Sequence, residues 1–389
     1  MTTGKTDDLK LDVHHTDAGL HRHTVMIRSL RAIIMVSGLS ASEASEVRRT
    51  WVRCLWTPST SSPDDDMPDY AEIKRVPDMD WTLFHENLVS EITALGIASC
   101  RGEYFMFHAA ALADPRNGNA LVLVAPSGTG KTTATRLLGT NFAYITDETA
   151  AIADDLSMVG YPKPLSLFDE SAVRPKHQHS PDELELLVTA GTARLTCLAV
   201  LDRVRDRDLD VAQAVELPLL EALKKLIPES SSLSQLPRGL AGLCRLIDSL
   251  GGAQVFRYSE AEQLVSLVTS KLERPKLPHD PKHADWYELP LERSEKPPLE
   301  AGLYRRALVD DALLIGESVA ILKDQEFTTM EGLGPVLWQS LEQWTSLERI
   351  IELLSEEFGH HPQADSIVVA TLKSLLERRL VEVSTEVNI

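Results

Sequence analysis

The chain is short of basic side chains, cysteine, aromatic rings and long apolar runs, and each shortage removes a class of function. Lysine and arginine together number 39 against 58 aspartates and glutamates, a formal charge of −19 at pH 7. Sequence-independent binding of nucleic acid depends on neutralising phosphates, so this balance argues against DNA or RNA as a partner. The four cysteines, Cys54, Cys100, Cys197 and Cys244, are scattered and form no C-x-x-C pair. A disulfide framework and a cysteine-based metal site are therefore not expected, and a reducing cytoplasm is the expected compartment. No apolar stretch reaches about 18 residues, and Met1–His23 carries no apolar core of the signal-peptide kind. Neither a membrane span nor export is expected. Aromatic residues make up only 5% of a chain that is 43% apolar, so its cores should be aliphatic.

What is present is enough chain for two or three domains, since 389 residues exceed one ordinary core. Residues 1–10 read as frayed, and Pro58–Asp69 as a solvated loop. Thr24–Ser37 is apolar and β-branched, which fits a strand or a buried helix. Ser40–Trp51 and Trp81–Gly96 have helical spacing. Phe107–Ala113 and Ala120–Ala125 flank a turn with Asn-Gly at its centre and read as a hairpin. Thr132–Leu138 follows as a helix, then Tyr144–Ile152 and Arg194–Val204 as strands. Leu217–Ile227, Leu236–Leu250 and Ala261–Leu272 look helical. Glu273–Glu300 is studded with proline among charges and reads as a linker or extended wrap. Beyond it, Leu313–Lys323 reads as two short strands turning at Gly316-Glu317. Helices at Leu333–Leu341, Leu347–Phe358 and Ser366–Arg378 and a strand at Leu380–Val383 complete the chain. The expected division is an N-terminal α/β subdomain over 1–104, a nucleotide-binding domain over 105–272, a linker over 273–300 and a C-terminal domain over 301–389.

The strongest chemical signal is Ala125-Pro126-Ser127-Gly128-Thr129-Gly130-Lys131-Thr132, a P-loop pattern with alanine in its first position. Gly128 and Gly130 can take backbone angles closed to other residues, which lets successive N–H groups converge on phosphate oxygens. Lys131 can reach the β and γ phosphates, and the Thr132 hydroxyl can ligate Mg²⁺; Thr133 extends the nucleotide-binding set. An apolar strand before the loop and a helix after it supply the confirming context. The second signal is Asp147-Glu148 at a strand end, where a carboxylate can hold Mg²⁺ or take a proton from a hydroxyl. Its alternative is an ordinary polar strand end. The third is His108, one strand before the loop, whose alternative is a satisfied core histidine.

Taken together, His108, the loop Ala125–Thr132 and the pair Asp147-Glu148 resemble the catalytic core of the HPr serine kinase/phosphorylase family, over about residues 105–170 and more loosely up to 272. Alanine stands at 125 and at 109 where that family has glycine, and Glu148 where it has aspartate. The resemblance implies an α/β P-loop fold related to phosphoenolpyruvate carboxykinases. It also implies ATP as phosphoryl donor, Mg²⁺ held by Thr132 and Asp147, and catalytic roles for His108, Lys131, Asp147 and Glu148. Arg174, Arg203 and Arg257 are candidate charge stabilisers, the alternative being solvated surface arginine. Tyr161–Leu167 is similar to a feature of shorter HPr-kinase-like proteins and reads as a loop over the site.

Tyr304–Val383 resembles the PqqD family, on Leu313–Ile315, Val319–Leu322, Leu333–Trp338, Thr345–Ile350 and Leu372–Val383. This implies an α+β winged-helix module that captures the leader of a ribosomally made precursor peptide by strand addition. The edge would come from the Leu313–Lys323 hairpin and the groove from Ser366–Arg378, with Lys373, Arg378 and Arg379 facing acidic leader residues. Joined, the two halves imply a kinase that phosphorylates a Ser or Thr hydroxyl of a tethered peptide, with other biosynthetic enzymes as further partners. A leader-presenting ATPase, a small-molecule kinase and a scaffold are the other readings. Homo-oligomerisation is left open.

Overall fold

The computed structural model describes residues 23–57, 69–126, 128–169, 173–189, 191–204, 209–276, 278, 285–293, 298 and 300–385. The sequence readings of a frayed start and of a loop over 58–68 lie outside these residues, as does Ser127. The described chain is a mixed α/β structure. It divides into two compact units. The first comprises residues 1–216, 229–231 and 253–276, and the second residues 217–228, 232–252 and 277–389. Among the described residues no helix is long and apolar enough to cross a membrane.

In the first unit, the β-branched run after Thr24 is a hairpin rather than a helix, with β1 (Val25–Ser29) paired antiparallel to β2 (Ala32–Ser37). Helix α1 (Ala41–Thr50) starts at a capping box, Ser40 accepting from the Glu43 N–H while the Glu43 carboxylate accepts from the Ser40 N–H. Such a cap contributes about 1 kcal/mol. Strand β3 (Ala71–Lys74) joins β2 in parallel. Helix α2 (Trp81–Ser99), capped by Asp80, lays Leu88 and Ile92 against Ile27, Ile34 and Trp51 to make one aliphatic core. Each such fully buried side chain contributes roughly 1.5–3 kcal/mol.

The larger sheet begins with the expected hairpin of β4 (Phe105–Ala113) and β5 (Asn119–Val124). The buried Asp114 carboxylate fixes its turn by accepting from the Arg116 N–H at 2.8 Å. β5 runs into the glycine-rich loop and α3 (Lys131–Leu138). β6 (Ala143–Thr146) and β7 (Thr149–Ile152) then pair with β4 in succession along the same strand, both antiparallel. β8 (Met158–Val159) continues from β7. Among the described residues β9 (Leu165–Leu167) and β10 (His177–His179) pair only with each other. β11 (Arg194–Arg203) lies parallel to β5. Then come β12 (Gln213–Glu216), β13 (Ser230–Ser231), which pairs with β4, and β14 (Gln254–Tyr258), which is parallel to β11. The sheet order is β12-β14-β11-β5-β4-β7-β8. Alternate residues of its central strands, among them Leu112, Leu121, Leu123, Ala199 and Phe256, bury against α3 and the later helix Gln263–Glu273. This places the loop after β5 at the carboxyl ends of parallel strands, where open α/β sheets offer a crevice.

Two helices between β12 and β14, α4 (Leu219–Leu226) and α5 (Gly239–Ser249), belong to the second unit. The Gln263–Glu273 helix is α6. The second unit's sheet has the order β15-β17-β18-β19, with β15 (Trp286–Glu288), β17 (Asp311–Ile315), β18 (Ser318–Lys323) and β19 (Glu326–Met330). β16 (Tyr304–Arg306) pairs with β20 (Val381–Val383) instead. Helices α7 (Leu333–Ser340), α8 (Leu347–Phe358) and α9 (Ala364–Glu377) close a core around Trp338, Ile350 and Leu372. The buried Asp311 carboxylate accepts from the Ala241 N–H at 2.8 Å and from Arg238 at 3.1 Å, tying the start of α5 to β17. Two sequence readings change here. The proline-rich stretch contributes a strand, β15. The Leu313–Lys323 hairpin is interior to its sheet, because β15 covers β17 and β19 covers β18. Among the described residues the outer strands are therefore β15 and β19, not those of the hairpin.

Candidate functional site

The site is assembled from consecutive strands at one level of the sheet. β5 ends at Val124, which pairs with Ala109, and the Ala109 N–H donates to the Glu148 carbonyl at 3.1 Å. The glycine-rich loop, His108 and the acidic pair thus come side by side although 40 residues separate His108 from Glu148. Gly128 and Gly130 have φ of +83° and +89°, the left-handed region the sequence reading required. The Thr129 hydroxyl closes the loop on the Pro126 carbonyl at 2.7 Å. Gly130 caps α3 without any side-chain acceptor, so the first-turn N–H groups and the positive end of the helix remain available to an anion.

Lys131 is buried, and its ammonium donates to two neutral carbonyls, Ala125 at 3.1 Å and His108 at 3.2 Å. Burial pushes its pKa down to about 8, against the upward pull of Glu148, Glu229 and Asp147. The β4–β6 register shifts just before the acidic pair, Ala111 facing Thr146 and Leu112 facing Tyr144, so that Ile145 is the extra residue on β6. Asp147 is buried. One of its oxygens accepts from the Tyr144 hydroxyl at 3.0 Å and from Lys163 at 2.9 Å. Glu148 is partly exposed, with its carboxylate 3.2 Å from His108 Nδ1 and 4.0 Å from Lys163. Burial would raise its pKa, but the His108 hydrogen bond and the Lys163, His108 and Lys131 charges bring it down to about 2.

Nδ1 of His108 also lies 3.2 Å from the Glu148 main-chain carbonyl. A carbonyl can only accept and Glu148 is ionised, so the geometry assigns the hydrogen to Nδ1. In the neutral ring Nε2 is then the lone-pair nitrogen, and it has no partner among the described residues.

Lys163 was not among the residues the sequence reading singled out. It is fully buried and donates to the Pro164 carbonyl at 3.0 Å as well as to Asp147. Burial alone would lower its pKa, yet the Asp147 and Glu148 carboxylates hold it above the ordinary lysine value. The Tyr161–Leu167 segment lies over the site only in its second half, where Ser166 and Leu167 line the cleft. Its first half is packed beneath the acidic pair: the Tyr161 N–H donates to the Ile145 carbonyl at 3.1 Å, and the Tyr161 hydroxyl meets Thr93 at 2.9 Å. A lysine between two prolines in an apolar run was the available signal.

His108, Gly128, Gly130, Lys131, Thr132, Thr133, Asp147 and Glu148 line one cleft of about 1080 Å³. Ala125, Pro126 and Thr129 shape the loop without lining it. Of the arginines singled out from the sequence, Arg203 comes nearest: its Nη1 is 3.9 Å from where a side chain at Gly130 would begin. It bonds to the Ser259 carbonyl and to Glu260. Arg174 pairs with Glu86 and Arg257 with Asp202. The arginine that does line the cleft is Arg136. Among the described residues no group of His, Cys, Asp and Glu side chains forms a metal site by itself. Thr132 and the acidic pair nonetheless offer the hard oxygen donors Mg²⁺ takes when it arrives with phosphates, needing only one or two protein ligands.

No family model and no curated protein matches the chain. Among solved structures it is similar to the Hpr(Ser) kinase/phosphatase from Coxiella burnetii, with a TM-score of 0.23 and 10% identity, over 43% of this chain and 93% of that one. The relation is distant and by itself decides neither the fold nor the reaction.

Proposed function

We propose that this chain is an ATP-dependent phosphotransferase that moves the γ-phosphoryl group onto a Ser or Thr hydroxyl of a peptide. One observation carries the reading: a P-loop with its lysine and hydroxyl shares a cleft with an oriented histidine and two carboxylates of different character. ATP would lie with its phosphates on the loop, the α3 N–H groups and Lys131. Mg²⁺, held by Thr132 and the acidic pair, would draw charge from the phosphates. The acceptor hydroxyl gives its proton to His108 Nε2 while its oxygen bonds to the γ-phosphorus. The bond from that phosphorus to the β–γ bridging oxygen breaks, and ADP leaves. Glu148 fixes the ring through Nδ1 and balances the charge it gains. Asp147, held by Tyr144 and Lys163, keeps the pair in place. Most of the rate enhancement comes from positioning and charge stabilisation.

The second unit would hold the peptide. β19 ends its sheet among the described residues, and α9 exposes Ile367 and Val369. An extended segment can add to such an edge and place alternate side chains against such a helix. The PqqD-like sequence of this region supports the same role. Binding there raises the acceptor's effective concentration to roughly millimolar.

The test incubates the full chain with ATP, Mg²⁺ and a library of Ser- and Thr-containing peptides and follows mass and ADP. A peptide gaining one phosphoryl group is the expected result, with His108→Asn slowing transfer by about 10²–10⁴-fold at unchanged ADP affinity. ADP release with every peptide mass unchanged would overturn the reading in favour of an ATPase that presents peptides.

A further inference from the structure

The cleft is also walled by nitrogen-bearing side chains, two of them, Arg136 and Lys176, permanent cations. Arg136 comes from α3, one turn beyond Thr132, and Lys176, His177 and His179 come from β10 and the residue before it. The concentration runs against the composition of a chain with a net charge of −19. Arg136 is exposed and makes no hydrogen bond or ion pair among the described residues. Its place in the last turn of α3 suits the helix dipole. The Lys176 ammonium lies 4.8 Å over the Phe168 ring, a cation–π contact that leaves it without a carboxylate partner among the described residues. Burial keeps His179 below its ordinary pKa, and His177, Arg136 and Arg49 push in the same direction, as they would where the local potential is positive. Three carboxylates lie near this wall: Asp169 is 3.8 Å from His177, Glu183 is engaged by Arg49, and Glu86 accepts from the Lys176 main-chain N–H at 3.3 Å and pairs with Arg174.

We infer that this wall is a second anion subsite, distinct from the P-loop, which receives a carboxylate carried by the acceptor beside its hydroxyl. It rests on the phosphotransfer reading and narrows the acceptor to an acidic hydroxyl-bearing peptide. Cations so placed recognise an anion through charge-assisted hydrogen bonds in a partly water-excluded cleft. The other source of negative charge is the nucleotide itself, whose phosphates could extend from the loop to this wall.

The experiment saturates the full chain with ADP and Mg²⁺ and titrates two capped tripeptides, Asp-Ser-Asp and the neutral Asn-Ser-Asn, by calorimetry. The acidic peptide is expected to bind at least about tenfold more tightly, a preference of about 1.4 kcal/mol. The double variant Arg136→Gln, Lys176→Gln should erase that preference while leaving ADP affinity within about twofold. Equal binding of the two peptides, or a preference that survives the double variant, overturns the subsite. A loss of about tenfold or more in ADP affinity in the double variant overturns it too, because the wall then belongs to the nucleotide. If the unaltered chain fails to bind ADP, the failure lies in the phosphotransfer reading.

Discussion

Lys131 and Lys163 stand on two sides of the same acidic pair, both buried, and they end in opposite electrostatic states. Among the described residues the P-loop side offers Lys131 hydrogen bonds to the carbonyls of Ala125 and His108 alone, and burial brings its pKa down to about 8. The Tyr161–Leu167 side offers Lys163 a carboxylate at 2.9 Å, and its pKa stays above the ordinary value despite complete burial. What separates a lysine that awaits an anion from one that already has its own is the partner in contact, not the depth of burial. The same division runs through the carboxylates. Asp147 is committed to Lys163 and Tyr144, whereas Glu148 faces the cleft and orients His108.

The largest effect expected from breaking this contrast is Lys163→Met. It strands the buried Asp147 carboxylate and should cost about 3–5 kcal/mol of stability in denaturant titration. Lys131→Met should do the reverse for stability, leaving it unchanged or raised, because no carboxylate contact is lost. It should weaken ADP binding by about 2–3 kcal/mol, measured by calorimetry. If both lysines gave the same pattern, the distinction between receiver and counter-ion would collapse. Tyr144→Phe removes the second donor to Asp147 and should cost about 1–2 kcal/mol of stability with little change in ADP affinity.

The smallest effect is in protons. For Lys131 the folded pKa of about 8 lies below the ordinary 10.5, so the unfolded chain holds more protons between those values. The group's burial cost is full below pH 8 and is relieved as pH rises towards 10.5. Phosphate oxygens favour the charged ammonium, so ADP binding above pH 8 should take up a fraction of a proton. Calorimetry in buffers of different ionisation enthalpy measures it, and Lys131→Met should abolish it.

Much of this arrangement was legible where it is local. The glycines, the helix after them and the β4–β5 hairpin follow from turn chemistry and apolar spacing within a few residues. Helical spacing over Ser40–Trp51 and Trp81–Gly96 marks α1 and α2. Lys163 was not legible as a partner of Asp147, because a lysine in an apolar run looks like an interruption until the fold brings a carboxylate to it. β15 was hidden by the prolines around Trp286–Glu288, which read as extended linker although an edge strand tolerates such neighbours. α5 belongs to the second unit, where Asp311 accepts from its Ala241 N–H, a contact between residues 70 apart. No window of sequence contains it.

That last contact bears on how such a chain could have been put together. Two modules joined end to end can be recombined at one junction. Here the chain passes from one unit to the other after Glu216, Pro228, Ser231, Gly252 and Lys276. A crossover or truncation near residue 300 would carry away β17 with Asp311 and leave α5 behind without its anchor. A donor of the C-terminal segment would therefore have to bring a matching helix into the middle of its recipient. The two units are expected to vary together among descendants of this chain, as a single heritable piece.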